Sequence, residues 1–144
     1  MNCAYLLLGS NVEKEKNIPE AIDRLKHALH VTAVSSVHET EPVGDTDQAH
    51  YWNVAVLVET DLTAEALKTD VLRPIEREMH RVRTGNTNAP RTIDIDIILF
   101  NDNVIDADVF GYAHVAVPLA EIAPNFLLRP GLSLGSLGSS FKLL

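Results

Sequence analysis

Cysteine is nearly absent. Cys3 stands alone in 144 residues, which excludes an intrachain disulfide and suits a reducing compartment. Long apolar runs are absent as well: none approaches the roughly 20 residues of a membrane helix. The opening Met1-Asn2-Cys3-Ala4-Tyr5 has no basic region of the kind a secretory signal carries. Positive charge is scarce, with 12 Lys plus Arg against 20 Asp plus Glu and a net charge of −8. That balance argues against a general binder of nucleic acid or of anionic membrane. The usual nucleotide loops are missing: there is no Gly-x-x-x-x-Gly-Lys-Ser/Thr, and Gly131, Gly135 and Gly138 lack the spacing and strand context of a dinucleotide fingerprint. The histidines show no metal-site spacing, His27 and His30 reading as surface positions one helical turn apart. The acidic stretch 101–108 lacks the glycine of a calcium loop and reads as a solvated turn. There is no repeat and no dividing linker. The expectation is a cytoplasmic single domain over residues 1–129, followed by a Gly, Ser and Leu rich tail over 130–144 whose order the sequence leaves open.

What is there centres on Thr92-Ile93-Asp94-Ile95-Asp96-Ile97-Ile98-Leu99-Phe100. The run is rich in β-branched residues and reads as a strand. Strict alternation puts Ile93, Ile95, Ile97 and Leu99 on one face and Asp94, Asp96, Ile98 and Phe100 on the other. The second face thus runs from an apolar interior to an opening with two carboxylates side by side. Such a pair repels itself unless a cation lies between. Hard oxygens in this arrangement suit magnesium, which binds through one or two carboxylates together with substrate phosphates. An edge strand whose acids face water is the other reading of this stretch by itself.

Around it the pattern gives strand, helix, strand, strand, helix, strand, the split βαβ order of a ferredoxin-like α+β domain with a mainly antiparallel sheet and helices on one face. Tyr5 to Leu8 is a buried strand ended by a turn at Gly9-Ser10-Asn11. Asn17 and Glu20 resemble a capping box, and Ile18, Ile22, Leu25 and Leu29 form the stripe of a helix reaching about His30. Val31 to Glu39 is a second strand with Val31, Ala33 and Val37 on one face, and Tyr51 to Glu59 is a third. Thr63 caps a second helix with the stripe Leu67, Val71, Ile75 and Met79, and Pro74 predicts a kink or restart within it. After Phe100, Val104-Ile105 is a short return strand and Pro118 to Ile122 one helical turn.

Arg77, Arg81 and Arg83 close the second helix, and Arg91 precedes the acid pair. Complementing a helix dipole accounts for Arg77 and Arg81 but not for Arg83 and Arg91, which lie beyond the helix. Arginine forks take phosphate oxygens in pairs. Acids for a metal beside arginines for phosphates describe phosphoryl-group transfer. Tyr51 and Asn53 point the same way from the third strand. An aromatic face with an amide can stack on and bond to a flat heterocycle, although a core tyrosine and a capping asparagine fit the spacing equally.

These residues, taken in order, resemble the hydroxymethyldihydropterin pyrophosphokinase family. The matching pieces are Leu8-Gly9-Ser10-Asn11, Ser35-Ser36, Glu39-Thr40-Glu41-Pro42-Val43-Gly44, Gln48 and Tyr51-Trp52-Asn53, then Glu76, Arg81-Val82-Arg83, Pro90-Arg91-Thr92-Ile93-Asp94-Ile95-Asp96 and Pro118-Leu119-Ala120-Glu121-Ile122-Ala123-Pro124. The resemblance implies transfer of pyrophosphate from ATP to 6-hydroxymethyl-7,8-dihydropterin with release of AMP, in folate biosynthesis, by a monomer or weak homo-oligomer. It implies two magnesium ions on Asp94 and Asp96, with Arg81 and Arg91 joining them in catalysis. It implies ATP contacts from Glu76, Arg81, Arg83 and Arg91. It implies a pterin pocket lined by Gly9, Thr40, Val43, Tyr51, Asn53 and His114.

The chain departs from the family pattern in three places. The segment 106–114 is short and lacks the family's proline-histidine pair, with Tyr112 near the usual arginine and His114 where a ring-stacking phenylalanine is expected. His80 replaces a glycine before Arg81, and Asn88 replaces a bulky residue. The short segment leaves a further expectation beside the enzyme, a relative that binds pterin or nucleotide without turnover; apart from the resemblance, Gly9-Ser10 and the acid pair also read as a two-metal nucleotidyltransferase. The long gap between those two pieces counts against the latter.

Overall fold

The computed structural model describes residues 1–41, 49–80 and 92–141. Strand β1 (Asn2–Ser10) leads into helix α1 (Lys14–Ala28), strand β2 (His30–Val34), strand β3 (His38–Thr40) and strand β4 (Tyr51–Thr60). A helical run follows as α2 (Ala64–Leu67), a π-helical segment (Lys68–Leu72) and α3 (Arg73–Glu78). Then come β5 (Asp94–Phe100), β6 (Asn103–Val104), α4 (Asp108–Gly111), α5 (Ala113–Ile122), the pair β7 (Leu127–Arg129) and β8 (Leu132–Ser133), and α6 (Leu134–Ser140). The sheet order is β2-β4-β1-β5-β6, with β3 also on β4, and all its pairings are antiparallel. This is the expected ferredoxin-like core, with β1 at its centre.

Alternation along β1 and β4 splits the interior in two. Leu6, Leu8, Val54, Val56 and Val58 pack with Ile18 and Leu25 of α1 and with Leu67, Leu72, Ile75 and Met79 of the second helical run. Leu7 and Ala55 face the other way and pack with Val109, Val115, Ala116, Leu119, Leu128 and Leu134. The two core helices do lie on one face. The opposite face is covered as well, by elements that follow β5. The stretch expected as a tail supplies part of that cover: Leu134 is fully buried in it, and Ser133 caps α6 by accepting from the Ser136 amide. Pro118 to Ile122 is likewise the end of a ten-residue helix rather than a single turn. Its buried Val115, Ala116, Pro118 and Leu119 leave little polar face, so no amphipathic stripe marks it in the sequence.

Bulges move several side chains from their expected faces. On β5, Leu6 pairs Ile97 but Tyr5 pairs Leu99, so Ile98 is an extra residue. Such a bulge reverses the alternation beyond it. Leu99 therefore joins Ile98 in the second cluster, while Phe100 packs on the first. On β2, Val31 lies opposite Val58 but Ala33 lies opposite Leu57, so the two valine and alanine side chains do not share a face. The strand expected from Val31 to Glu39 is broken after Val34. There the Ser35 amide donates to the Ala55 carbonyl at 2.8 Å, and the Ser35 hydroxyl accepts from the Ala55 amide at 2.9 Å. A side chain thus replaces a ladder carbonyl, and Val37 turns out to 45% exposure.

Helix boundaries also differ. Helix α1 starts at Lys14, and Asn17, expected as its cap, is buried in the first turns with its amide donating to the Val12 carbonyl at 2.6 Å. Thr63 does cap α2, accepting from the Ala66 amide at 3.1 Å. The break expected at Pro74 takes the form of the π-helical segment immediately before it, where the wider turn absorbs the missing amide. After α3, His80 adopts φ 64°, the left-handed conformation that glycine enters without steric cost. His80→Gly is expected to stabilise the fold by about 1 kcal/mol, read as a raised urea midpoint at unchanged slope.

Candidate active site

Four strand ends meet at one edge of the sheet: the ends of β1 and β3 and the starts of β4 and β5. In this register Gly9 pairs with Asn53 on one side and with Asp94 on the other, and Leu7 likewise lies between Ala55 and Asp96. Directly opposed residues share a face. Gly9, Tyr51, Asn53, Asp94 and Asp96 are therefore together on the face that α5 covers farther along, and Thr40 joins them opposite Tyr51.

Each residue of Gly9-Ser10-Asn11 has a separate task. A Cβ at Gly9 would lie 3.5 Å from Asn53 Oδ1 and 3.8 Å from Tyr51 Cδ1. The glycine thus leaves a floor of bare backbone between an amide, a ring and a carboxylate. The buried Ser10 hydroxyl donates to the Thr92 carbonyl at 2.6 Å, tying the end of β1 to the entry of β5. The Asn11 amide donates to the Ala49 carbonyl at 3.3 Å, tying the same turn to the approach of β4. Gly9 and Ser10 thereby lie in the strand, and the turn expected at Gly9 begins at Asn11.

Asn53 is buried, and its Nδ2 donates to the Thr40 hydroxyl at 2.6 Å and to the His38 carbonyl at 3.2 Å. With both amide hydrogens engaged, Oδ1 is the atom presented over Gly9. Thr40 accepts from Asn53, which leaves its hydroxyl hydrogen for another acceptor.

The acid pair is held from behind. Where Ile95 pairs with Leu8 on β1, the outer edge of β5 carries no strand among the described residues, β6 reaching only Leu99 and Phe100. Side chains from α3 take that place. The Glu76 carboxylate accepts from the Ile95 amide at 2.8 Å, and the Arg73 guanidinium donates to the Ile95 carbonyl at 3.0 Å. Arg73 also lies 3.0 Å from Glu76 Oε2 and 3.4 Å from Asp96 Oδ1. Glu76 is 2% exposed as a side chain and Asp96 35%. Asp94 is buried. The carboxylates offer hard oxygens on one face, and Gly9 beside Asp94 has no side chain to block an approach. Among the described residues no group of three His, Cys, Asp or Glu side chains is placed to hold a metal. A pair of carboxylates alone fits magnesium, which takes the rest of its shell from water and phosphate oxygens.

The other expected residues divide into two sets. His114 lies in the first turn of α5 with its ring centroid 5.4 Å from that of Tyr112. Val43, Arg81, Arg83 and Arg91 lie outside the described residues. Arg73 was not anticipated, and neither was the set Ser36, His38 and Glu121. In that set the Glu121 carboxylate accepts from the Ser36 amide and hydroxyl, both at 2.6 Å, and lies 2.9 Å from His38 Nε2. For Arg73 a signal was present, since it precedes Glu76 by three residues on one helix. Ser36 and Glu121 stand in motifs that match the family, but nothing in the spacing shows that they and His38 meet, because Glu121 is more than eighty residues from its partners.

Comparison with known proteins adds to this geometry. The family model described as 7,8-dihydro-6-hydroxymethylpterin-pyrophosphokinase (HPPK) matches residues 5–124. The chain belongs to the HPPK family. A relative from Bacillus subtilis, the 2-amino-4-hydroxy-6-hydroxymethyldihydropteridine pyrophosphokinase, is 39% identical over 132 residues, which are 84% of this chain and 78% of the relative. A protein of the same name from Methylorubrum extorquens is 36% identical over 139 residues, or 89% of this chain and 87% of that one. In fold, the chain is similar to the crystal structure of Plasmodium falciparum HPPK-DHPS with pteroate, at a TM-score of 0.72 and 15% identity. That match covers 96% of this chain and 42% of the longer one. Among the described residues no helix is long and apolar enough to cross a membrane.

Two substitutions separate the HPPK fold from its site. Gly9→Ala meets only ordinary contacts, so thermal unfolding is expected to stay within about 1 kcal/mol of the parent while binding of a flat ligand over Gly9 weakens, as read by ligand fluorescence titration. Arg73→Met takes the cation from a buried carboxylate and is expected to cost about 3 kcal/mol, measured by urea unfolding.

Proposed function

We propose that this chain transfers the pyrophosphoryl group of ATP to the hydroxymethyl oxygen of 6-hydroxymethyl-7,8-dihydropterin, releasing AMP, as a pyrophosphokinase of folate biosynthesis. The observation that carries this reading is the register that sets the Gly9–Asn53 floor directly beside Asp94 and Asp96. A flat ring over Gly9 then presents its substituent towards the carboxylates, where a polyphosphate would lie.

In this reading the pterin rests over Gly9. Asn53 Oδ1 accepts from a ring N–H, the Thr40 hydroxyl and the Val43 backbone supply further bonds, and Tyr51 and His114 flank the ring. Asp94 and Asp96 hold two magnesium ions, which when bound neutralise the charge of the ATP phosphates. Arg81, Arg83 and Arg91 contact the nucleotide, and Arg81 and Arg91 steady the charge that builds on the departing AMP; Glu76, expected among these contacts, is instead buried behind the acid pair on the Ile95 amide and Arg73. The hydroxymethyl oxygen attacks the β-phosphorus, the bond from that phosphorus to the oxygen of AMP breaks, and the hydroxyl proton passes to solvent. Such a displacement asks the protein for alignment and charge neutralisation rather than for a covalent intermediate. The division of roles, the number of magnesium ions, a cytoplasmic setting and action as a monomer or weak homo-oligomer are parts of the same proposal.

The test is release of AMP from ATP and magnesium on addition of hydroxymethyldihydropterin. Asp94→Ala and Asp96→Ala are each expected to lower turnover by about a hundredfold or more, the loss of several kcal/mol of charge stabilisation. Absence of pterin-dependent AMP at high protein concentration overturns the reading.

A further inference from the structure

Ser36, His38 and Glu121 form a cluster of nucleophilic and titratable groups that the reaction above does not use. Its geometry is not that of an activated serine. In such a site the histidine stands between the hydroxyl and the acid. Here Ser36 Oγ bonds Glu121 Oε1 directly at 2.6 Å, His38 Nε2 lies 2.9 Å from the same oxygen, and serine and histidine are 3.5 Å apart. The hydroxyl hydrogen is committed to the carboxylate, and so is the imidazole. With the Ser36 amide at 2.6 Å on Oε2, one carboxylate at the end of α5 gathers three donors, two from Ser36 between β2 and β3 and one from His38 at the start of β3. Those bonds, led by that of the Ser36 hydroxyl, hold the Glu121 carboxyl below the usual carboxylate range.

Strand β3 depends on this anchor. It is three residues long and among the described residues pairs with β4 alone, too little pairing to be well held by itself. Yet its His38 carbonyl and Thr40 hydroxyl receive both amide hydrogens of Asn53. Any shift of β3 frees the Asn53 amide to rotate and removes Oδ1 from its place over Gly9. We infer that Glu121 is a positioning residue for the pterin pocket, acting through Ser36 and His38 on the strand that orients Asn53. The inference rests on the proposed pterin site. It assigns to the last turn of α5 a task beyond covering the sheet: Glu121 there sets the wall of the pocket without touching the ligand.

The experiment is a double-mutant cycle on Glu121 and Asn53, with Michaelis constants for pterin and ATP measured separately. Glu121→Ala is expected to raise the pterin constant about tenfold, with the ATP constant and kcat within about twofold of the parent. Ser36→Ala, which removes only one of the three donors, is expected to shift the pterin constant less and in the same direction, and it covers the case in which Glu121→Ala fails to fold. Glu121→Gln keeps an acceptor for Ser36 and is expected to recover part of the loss. Combined with Asn53→Ala, the Glu121→Ala effect is expected to shrink, because the two act on one contact. Equal rises in both Michaelis constants, or full additivity with Asn53→Ala, overturn the inference. If Asn53→Ala itself leaves the pterin constant unchanged, the pocket reading fails instead, and the two failures are distinct.

Discussion

The pairing of β1 with β5 is the constraint on which the remaining structure depends. It brings together segments more than eighty residues apart and sets Gly9 against Asp94 and Leu7 against Asp96. Because side chains alternate along a strand, a slip of one residue would turn both acids into the cluster filled by Ile93, Ile95 and Ile97. The cost of burying two carboxylates there makes the register self-enforcing. Ser10 adds a tether at the end of this pairing through the Thr92 carbonyl. The Ile98 bulge then releases the strand from strict alternation once the acids have been placed, so that Ile98 and Leu99 both fill the second cluster.

Two covers act on the site from opposite faces. The second helical run packs its apolar stripe on the first face, and its last part sends Arg73 and Glu76 to the outer edge of β5 to take up the Ile95 amide and carbonyl. The π-helical turn before Pro74 precedes this hold directly, and it resets the helix just where Arg73 begins α3. On the second face, α5 buries Val115, Ala116 and Leu119 and ends in Glu121 on Ser36 and His38. The acids are thus steadied by a helix behind the sheet, and β3, which holds the Asn53 amide, by a helix in front of it. Neither helix had to be evolved for contact with ligand alone, since each is needed to cover an apolar face.

Much of this was legible in the residues. The alternation of Trp52, Val54, Val56 and Val58 against Asn53 and Ala55 is regular, and so β4 and its two faces appear as read. The same holds for the stripe of α1 and for the Thr63 cap, which depend on neighbours within a few residues. The acid pair and Asn53 fall on one face as alternation requires. What failed to show were features made by distant partners. The break at Ser35 exists because the Ala55 amide donates to the Ser35 hydroxyl in place of a backbone carbonyl. The stretch after Pro130 looked like a tail because Gly, Ser and Leu without periodicity carry no helical signal, and only the apolar face left open by the first core gives Leu134 a place to be buried.

Residue order by itself determined the core strands and helices, the acid pair on one face of a strand end and, through motifs in sequence order, the family, since alternation and motif order are read along the chain. Tertiary structure decided which groups hold those patterns in place. Arg73 matters because it reaches the Ile95 carbonyl at the edge of β5, and Glu121 because the last turn of α5 stops beside β3. Hydrogen bonds and ion pairs of this kind act over about 3 Å, and no spacing along the chain encodes which distant atoms the fold will bring that close.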